Sequence, residues 1–389
     1  MPPPAAVPKE AGVRAIAVKE VRELRRDRRT LAMLFLLPIL FLVVFGYAAS
    51  FDVRHVPTIV VGPEAAPAEG LLPATLKIVR TDASGGRAAA EDALRRGQAT
   101  VAVVTPSSAG GTVEVLVDGT ELFAAQAAVR SLAELKAGAA GAPAGAQMNA
   151  QVHVLFNPGL RTAVIMIPGL CGIILVFIGT IATALGVVRE RQTGTMEQLA
   201  VMPFRPRDVF LGKTGPYLVI AAADMAIVVA AGMLLFDVPF RGSVATFALG
   251  SVLFLFVTVG TGVLISTVSQ TQAQALQLAV FTMVPQFLLS GLFFPLYAMP
   301  WSVRWLGYLL PLTWFIKVAR GVMVRGAPIG SLWLPLLVLA AMALAVFTAS
   351  TLRFRRDLAP SGRARGAEHG GAAVGAGAAT AGPLEEGPA

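Results

Sequence analysis

The sequence predicts an α-helical polytopic membrane protein with six transmembrane helices and a small α+β extracytoplasmic domain between helices 1 and 2. Three observations predict this fold class. The 389 residues are 55% hydrophobic and only 14% charged, whereas soluble domains carry about 25% charged residues. The mean hydropathy is high, at +0.69. The apolar residues also form runs that reach the roughly 20 residues needed to cross a bilayer.

The first three spans follow directly from uncharged runs. Residues 31–50 and residues 162–188 contain no Asp, Glu, Lys or Arg, and each is long enough for one helix. The third run, residues 215–236, contains a single charged residue, Asp224. It opens the region 214–356, which we assign to transmembrane helices 3–6.

The remaining spans come from two further runs. Residues 242–303 contain no charged side chain and no histidine, and they are too many for one helix. The polar stretch at residues 266–274 divides them into two predicted spans, about residues 244–265 and 275–296. Residues 326–352 form the last uncharged run, which brings the total to six spans.

Basic residues next to the spans predict the orientation, because cytoplasmic loops are enriched in Lys and Arg. Clusters precede span 1, join spans 2 and 3, and follow span 6, so six spans place all three clusters on one side. Both termini are then cytoplasmic in the plasma (inner) membrane. Four basic residues break the rule by falling on the outer side: Arg304, Lys317, Arg320 and Arg325.

The segments outside the spans differ in composition. Residues 1–12 and 357–389 are rich in Pro, Ala and Gly and are predicted to be disordered tails. In residues 13–30 the apolar residues Ile16, Val18, Val21 and Leu24 stand among charged residues at a spacing that predicts an amphipathic helix on the cytoplasmic membrane surface. The alternative for this segment is a simple basic flank of span 1.

Residues 51–161 are predicted to form the extracytoplasmic α+β domain. Short β-branched runs bounded by turn residues predict strands. Asp118 and Glu121 are interpreted as a turn and a helix start rather than as an acid/base pair. The predicted strands cover residues 58–61, 100–104 and 112–117, and the predicted helices cover residues 88–96 and 122–136.

Several functions are excluded by the residues present. The single cysteine, Cys171, excludes an internal disulfide and a CxxC motif, and three scattered histidines give no metal site. The net charge of +9 is explained by membrane topology, so no nucleic-acid partner is expected. Gly212-Lys213-Thr214 ends like a phosphate-binding loop, but Arg207 stands where that motif requires glycine. We therefore expect no cofactor and no ATPase site in this chain.

The charged stretch at residues 189–199, RERQTGTMEQL, contains a helix-start signal. Thr195 and Gln198 have the spacing of a capping box, in which two side chains satisfy free backbone N–H groups. Pro203 ends the short helix that begins there, and Leu199 lies on its apolar face. The pattern alone indicates either a capped surface helix without a function or a rigid segment that docks a cytoplasmic partner.

Motifs in five segments, taken in order, resemble those of the type 2 ABC exporter permeases. The resemblance covers about residues 15–355. The motifs are Lys19-Glu20 with residues 26–30, Pro38 and Phe45-Gly46-Tyr47; Asn157-Pro158 with Arg161 and Pro168-Gly169; Glu190-Arg191 with Gly194-Thr195, Glu197, Leu199 and Pro203; residues 238–242; and Ser290-Gly291, Phe294-Pro295, Met299-Pro300, Trp305, Pro311 and Arg320-Gly321.

The resemblance implies a permease subunit that forms half of an export pathway. Two copies pair, as a homodimer or a heterodimer, and each docks a separate ATP-binding subunit that holds ATP and Mg. The domain between spans 1 and 2 resembles the drug-export branch, which implies a drug-like or lipophilic substrate. A segment near residues 297–325 re-enters the outer leaflet as short helices. The implied docking and coupling residues are Glu190, Arg191, Gly194, Thr195, Met196, Glu197, Gln198 and Leu199.

Asp224 is the candidate polar site inside the membrane, because ionisable residues in spans usually face a cavity or a bundle interior. It either contacts a cationic substrate or hydrogen-bonds a neighbouring helix through Thr261 or Ser266. Two other function classes stay open from the residues alone. One is an ion-coupled secondary transporter, and the other is a membrane receptor or scaffold whose outer domain senses a ligand.

Overall fold

The computed structural model describes residues 55–66, 70, 72–107, 111–139, 150–193 and 206–358. These residues form an α/β unit followed by a helical bundle. Three predicted segments lie outside the described residues and stay predictions: the tail at 1–12, the surface helix at 13–30 and span 1 at 31–50. The predicted tail at 357–389 lies outside them from residue 359 on, while its first two residues, 357 and 358, belong to the last helix.

The α/β unit is built on one mixed five-stranded sheet. Its strand order is β2-β1-β3-β4-β5, with β3 and β4 antiparallel and the other neighbours parallel. The elements are β1 (Val56–Val61), β2 (Leu76–Asp82), α1 (Arg87–Arg95), β3 (Val101–Val104), β4 (Val113–Asp118), α2 (Leu122–Ala139) and β5 (Ala150–Leu155).

The three central strands are apolar on both faces because a helix covers each face. In β3, Val101 and Val103 pack toward α2, where Leu132 is buried. The intervening Ala102 packs toward α1 and its buried Leu94. A strand alternates its side chains between faces, so a strand buried on both sides becomes a continuous apolar run.

The two strands that the sequence did not predict are β2 and β5. They are the two edges of the sheet, and both are less buried than the central strands. Edge strands commonly carry charged and polar side chains that discourage pairing with other chains. A search for apolar runs therefore did not find these strands, because polar residues interrupt both of them: Lys77 and Arg80 in β2, and Gln151 and His153 in β5.

The bundle follows directly from β5. Its helices are α3 (Thr162–Val176), α4 (Thr183–Gln192), α5 (Pro206–Phe236), α6 (Val244–Val268), α7 (Gln272–Leu289), α8 (Trp301–Tyr308), α9 (Pro311–Arg320) and α10 (Trp333–Leu358). We call the end of the bundle beside the α/β unit the domain end. The other end, near Gln192 and Gln272, is the far end.

Four helices of the described chain are long and apolar enough to cross a membrane: Thr162–Gln192, Leu218–Phe236, Val244–Val268 and Trp333–Arg353. The predicted span at 275–296 is shorter than expected. Its helix, α7, has 18 residues, ends at Leu289 and carries four glutamines. It is not among the four, although it runs between the two ends of the bundle. Six spans therefore stay a prediction.

The helix from Thr162 to Gln192 contains a π-helical segment, Phe177–Ala182, between α3 and α4. Such wide turns are rare and interrupt the regular hydrogen-bond ladder. Here the Thr180 hydroxyl donates to the Thr258 carbonyl oxygen of α6, at 3.2 Å. A Cβ at Gly262 of α6 would lie 2.6 Å from the Thr180 carbonyl oxygen. The absence of a side chain at Gly262 lets the two helices touch through their backbones.

The bundle core lies where α3, α6 and α9 meet. Phe254 and Phe315 are both fully buried, and their rings stack with centroids 4.5 Å apart. A Cβ at Gly172 of α3 would lie 2.8 Å from the Phe315 ring. The short helix α9 is thereby packed as tightly as the long helices around it.

The segment predicted to re-enter the membrane at 297–325 consists of short helices. A 3-10 turn at Leu296–Ala298 leads into α8 and α9, and a π-helical turn, Gly321–Arg325, ends the series. Gly291 introduces the segment with φ at +84°, a conformation that residues with a Cβ rarely adopt. The short helices match the expectation, while their depth in a membrane stays a prediction.

Candidate translocation groove and coupling segment

The predicted coupling segment is described only at its start. Glu190 and Arg191 lie in the last turn of α4, which continues the second span to Gln192. The other six predicted coupling residues, Gly194, Thr195, Met196, Glu197, Gln198 and Leu199, lie outside the described residues. Their roles stay predictions.

The end of α4 is attached to the turn between α6 and α7. The Arg191 guanidinium donates to the Ser269 carbonyl oxygen at 3.4 Å. The Gln192 side chain accepts a hydrogen bond of 3.0 Å from Gln272. These contacts join α4 to the end of α6 and the start of α7 at the far end of the bundle.

Gly212, Lys213 and Thr214 lie inside α5, which begins at Pro206. A phosphate-binding loop joins a strand to the start of a helix. The backbone at these three residues is helical throughout, so they do not have that geometry.

Asp224 lies in the middle of α5, half-buried. It is 12 residues before the end of the helix at Phe236, or roughly 18 Å at 1.5 Å per residue. Neither hydroxyl proposed above as its partner points to it. Thr261 donates to the Val257 carbonyl oxygen and Ser266 to that of Val263, both within α6. The interpretation of Asp224 as bonded to these two residues is therefore wrong, because each hydroxyl satisfies its own helix.

An apolar groove of about 540 Å³ lies between α5 and α6. Its walls include Met225, Val229 and Met233 of α5 and Phe247 and Leu255 of α6. Ser251 is the one polar side chain among the described lining residues, and its hydroxyl already donates to the Phe247 carbonyl oxygen. The groove is within the range of roughly 300–1,000 Å³ typical of sites for drug-sized ligands.

Two of the four basic residues that broke the topology rule, Arg320 and Arg325, are paired with acidic residues of the α/β unit. The Arg325 guanidinium lies 3.4 Å from the Asp118 carboxylate, which is almost completely buried. The Arg320 guanidinium lies 3.8 Å from that of Glu121. The sequence analysis missed these pairs, because the partners are about 200 residues apart in the chain.

Asp118 has the predicted turn role and a second role besides. Its Oδ1 accepts a hydrogen bond of 2.9 Å from the Thr120 backbone N–H, as expected of an aspartate in a turn. Its Oδ2 contacts Arg325. One carboxylate thus shapes the turn before α2 and anchors the α/β unit to the bundle.

The Glu121 side chain lines the space between the α/β unit and the short helices. Burial raises the pKa of its carboxyl above the usual value; the charge of Arg320 opposes this, and the charge of Asp118 adds to it. A buried carboxylate needs a nearby cation to stay ionised, and Arg320 supplies it.

A family model described as ABC-2 family transporter protein matches residues 28–352. The chain belongs to this family. The match spans both the α/β unit and the bundle, so the ABC-2 family assignment applies to every described helix and strand. It confirms the resemblance drawn from the sequence motifs.

Relatives of this ABC-2 protein include named permeases. "Probable multidrug ABC transporter permease YbhS" of Escherichia coli (strain K12) is 28% identical over 334 residues, 81% of this chain and 89% of the relative. "Probable multidrug ABC transporter permease YbhR" of the same organism is 30% identical over 251 residues, 63% of this chain and 68% of the relative. "Inner membrane transport permease YhhJ", also from that strain, is 30% identical over 213 residues, 54% of this chain and 56% of the relative.

Proposed function

We propose that the chain is the membrane-spanning permease subunit of an ATP-driven exporter. Two copies pair to form the translocation pathway, and each docks a separate subunit that binds ATP and Mg. The observation that carries the proposal is the ABC-2 family match across residues 28–352, on a bundle with four apolar helices of membrane-spanning length among the described residues. No catalytic step is assigned to this chain.

The proposed substrate is a drug-like or lipophilic small molecule. Two observations support this class. The groove between α5 and α6 is large enough for such a molecule and is lined almost entirely by apolar side chains. The names of YbhS and YbhR also contain the word multidrug. Methionine is common at surfaces that accept ligands of varied shape, and Met225 and Met233 both line the groove.

The proposed location is the inner membrane, with both termini in the cytoplasm and the α/β unit on the extracytoplasmic side. The basic clusters near spans 1, 3 and 6 support this orientation. The pairing of Arg320 and Arg325 with acidic partners accounts for basic residues on the outer side.

Cysteine labelling tests this orientation. In a Cys171→Ala background, cysteines at Ser84 and Ser361 are expected to react oppositely with a membrane-impermeant thiol reagent in intact cells. Ser84 is exposed on the α/β unit and is expected to react from outside, while Ser361 reacts only after lysis. The native Cys171 is buried, so its removal takes away only a slow background. Labelling of both positions from outside contradicts the six-span topology.

A second candidate function is an ion-coupled secondary transporter. Asp224 favours it, because this carboxyl group lies in a span and makes no hydrogen bond or ion pair with the described residues. Intramembrane carboxyl groups of this kind can carry protons or bind cations. This function predicts uptake or export driven by an ion gradient in the absence of an ATP-binding subunit.

Filling the groove is expected to reduce transport. Val229 lines the groove, so Val229→Trp places a bulky indole ring in it; we expect transport of lipophilic dyes to fall about tenfold or more. The matched control is Ile227→Trp, which adds the same side chain to α5 outside the groove. The Ile227 side chain is 65% exposed. The measurement is ATP-dependent dye accumulation in inverted vesicles that contain the chain and its ATP-binding subunit.

Three outcomes of this experiment count against parts of the proposal. Equal transport by the two tryptophan variants shows that the groove does not bind substrate. Transport that needs a proton gradient but no ATP-binding subunit favours the ion-coupled function. No transport by any preparation, with ATP hydrolysis by the partner unaffected by this chain, contradicts the exporter function.

A further inference from the structure

A polar cavity of about 160 Å³ lies beneath the α/β unit, separate from the apolar groove. Glu121, the residue before α2, forms one wall, Ser290 and Tyr297 form a second, and Lys317, Arg320 and Arg325 form a third. Since one water occupies about 30 Å³ of liquid, the cavity has room for several waters or one small polar group. It is too small for the drug-sized ligands of typical binding sites.

The charges around the cavity do not balance. Asp118 pairs with Arg325, and Glu121 pairs with Arg320. Lys317 is the third cation, and among the described residues no carboxylate oxygen lies within 4 Å of its ammonium group. The ammonium stacks on two aromatic rings instead, 4.4 Å from the centroid of Trp314 and 5.3 Å from that of Tyr308. Such rings attract the cation, but they supply no negative charge.

Unused hydrogen-bond donors face the same space. The Ser290 hydroxyl is buried, and the Arg325 Nε is buried as well; neither has a hydrogen-bond partner among the described atoms. Buried polar groups in folded proteins are nearly always hydrogen-bonded, so an exception calls for a ligand or water. Arg320 is already engaged, because each of its guanidinium nitrogens donates one hydrogen bond, to the carbonyl oxygens of Ile165, Gly291 and Leu292.

We propose that this cavity binds one anionic group, a phosphate or a carboxylate, with Lys317 as its counter-ion and Ser290 and Arg325 as hydrogen-bond donors. A group with one negative charge neutralises the excess cation and satisfies the unused donors. Both a phospholipid headgroup and a free inorganic or organic anion present this chemistry. The site is independent of the export function, which does not require it.

The first test uses inorganic phosphate as the probe. The full chain is purified into nanodiscs of phosphatidylcholine, and phosphate binding is measured by calorimetric titration. We expect the wild-type chain to bind phosphate and Lys317→Gln to bind it at least tenfold more weakly. Ser290→Ala is expected to weaken binding several-fold. Arg304→Gln is the matched control: Arg304 also stacks on a tryptophan ring, that of Trp301, but does not line the cavity.

The second test distinguishes the two sources of the anion. The titration is repeated in nanodiscs that contain phosphatidylglycerol, and retained lipids are counted by native mass spectrometry. Loss of phosphate binding, with one phosphatidylglycerol retained by the wild type but not by Lys317→Gln, assigns the site to a lipid headgroup. Unchanged phosphate binding assigns it to a free anion. Both outcomes support the site.

Two outcomes overturn the proposal. One is a wild-type chain that neither binds phosphate nor retains phosphatidylglycerol. The other is equal binding by Lys317→Gln and Arg304→Gln. Thermal melting of every variant separates loss of binding from loss of folding. Lys317→Arg keeps the charge and is expected to keep phosphate binding within a few-fold. If Lys317→Gln loses phosphate binding while Lys317→Arg keeps it, the loss is due to the missing charge and not to altered packing.

Discussion

Replacing Arg320 by methionine is expected to lower the free energy of unfolding by about 3–5 kcal/mol, the cost of breaking a buried ion pair from one side. Arg320 is 6% exposed and holds together three parts of the chain. Its guanidinium donates to carbonyl oxygens of α3 and of the turn after α7, and it is the nearest cation to Glu121. Methionine keeps an unbranched side chain but removes the donors to these carbonyl oxygens and the cation nearest to the Glu121 carboxylate.

The measurement is chemical unfolding of the purified chain in micelles, followed by tryptophan fluorescence. Arg304→Met is the matched control, because Arg304 is half-exposed beside Trp301; we expect a loss of less than about 1 kcal/mol, as is usual for surface substitutions. Arg320→Lys retains the charge but not the planar set of donors, so its loss is expected to be intermediate. Equal stability of Arg320→Met and Arg304→Met contradicts the structural role of Arg320.

The part of the stability loss in Arg320→Met that comes from Glu121 can be measured separately from the part that comes from the carbonyl oxygens. In Arg320→Met the pKa of the Glu121 carboxyl is expected to rise further, because burial already raises it and Arg320 opposes the rise. A protonated carboxyl needs no cation, so the penalty of Arg320→Met is expected to shrink as the pH falls through that raised pKa. Glu121→Gln in the same background is expected to recover part of the stability at neutral pH.

The second large effect concerns Leu199 in the predicted coupling segment. Leu199→Asp is expected to weaken docking of the ATP-binding subunit about 100-fold or more, since an unpaired charge in an apolar contact costs about 3 kcal/mol or more. Leu199→Met preserves volume and polarity and is expected to dock normally. Docking is measured by co-purification of the two subunits, and transport is measured at matched membrane levels.

Thr195 provides a further comparison within the same segment. Loss of an N-cap costs a helix about 0.5–2 kcal/mol, but glycine is itself a tolerated cap. Thr195→Gly is therefore expected to impair transport less than Thr195→Ala. If Leu199→Asp shows wild-type docking and transport, the segment is a capped loop without a coupling role.

The elements that the sequence predicted are those with continuous apolar runs. Strands β1, β3 and β4 are such runs because helices cover both faces of the sheet, and the helices at Thr162–Gln192, Val244–Val268 and Trp333–Arg353 are long and apolar enough to cross a membrane. The edge strands β2 and β5 need no such composition. Helix α7 differs from its predicted bounds mainly at its end: the apolar run continues to residue 296, but the helix stops at Leu289 because the chain turns at Gly291.

The polar cavity was beyond the reach of sequence analysis. From the local sequence, Asp118 and Glu121 are predicted to form a turn and a helix start, and the structure has the turn at Asp118. Their pairing with Arg325 and Arg320 depends on how the α/β unit packs on the bundle, which no local spacing encodes. The one available signal was the presence of basic residues on the predicted outer side, because Lys and Arg are normally enriched in cytoplasmic loops.

The distance along the chain between Asp118 and Arg325 has a consequence for biosynthesis. The two residues are 207 positions apart, and ribosomes add about 5–20 residues per second. Asp118 is therefore made roughly 10–40 s before its partner. Once β5 has been made, the α/β unit has every strand of its sheet but no counter-charge for Asp118 and Glu121 until Arg320 and Arg325 follow. These ion pairs can form only after most of the bundle has been made, so a ribosome stalled before residue 320 leaves the α/β unit without both of them.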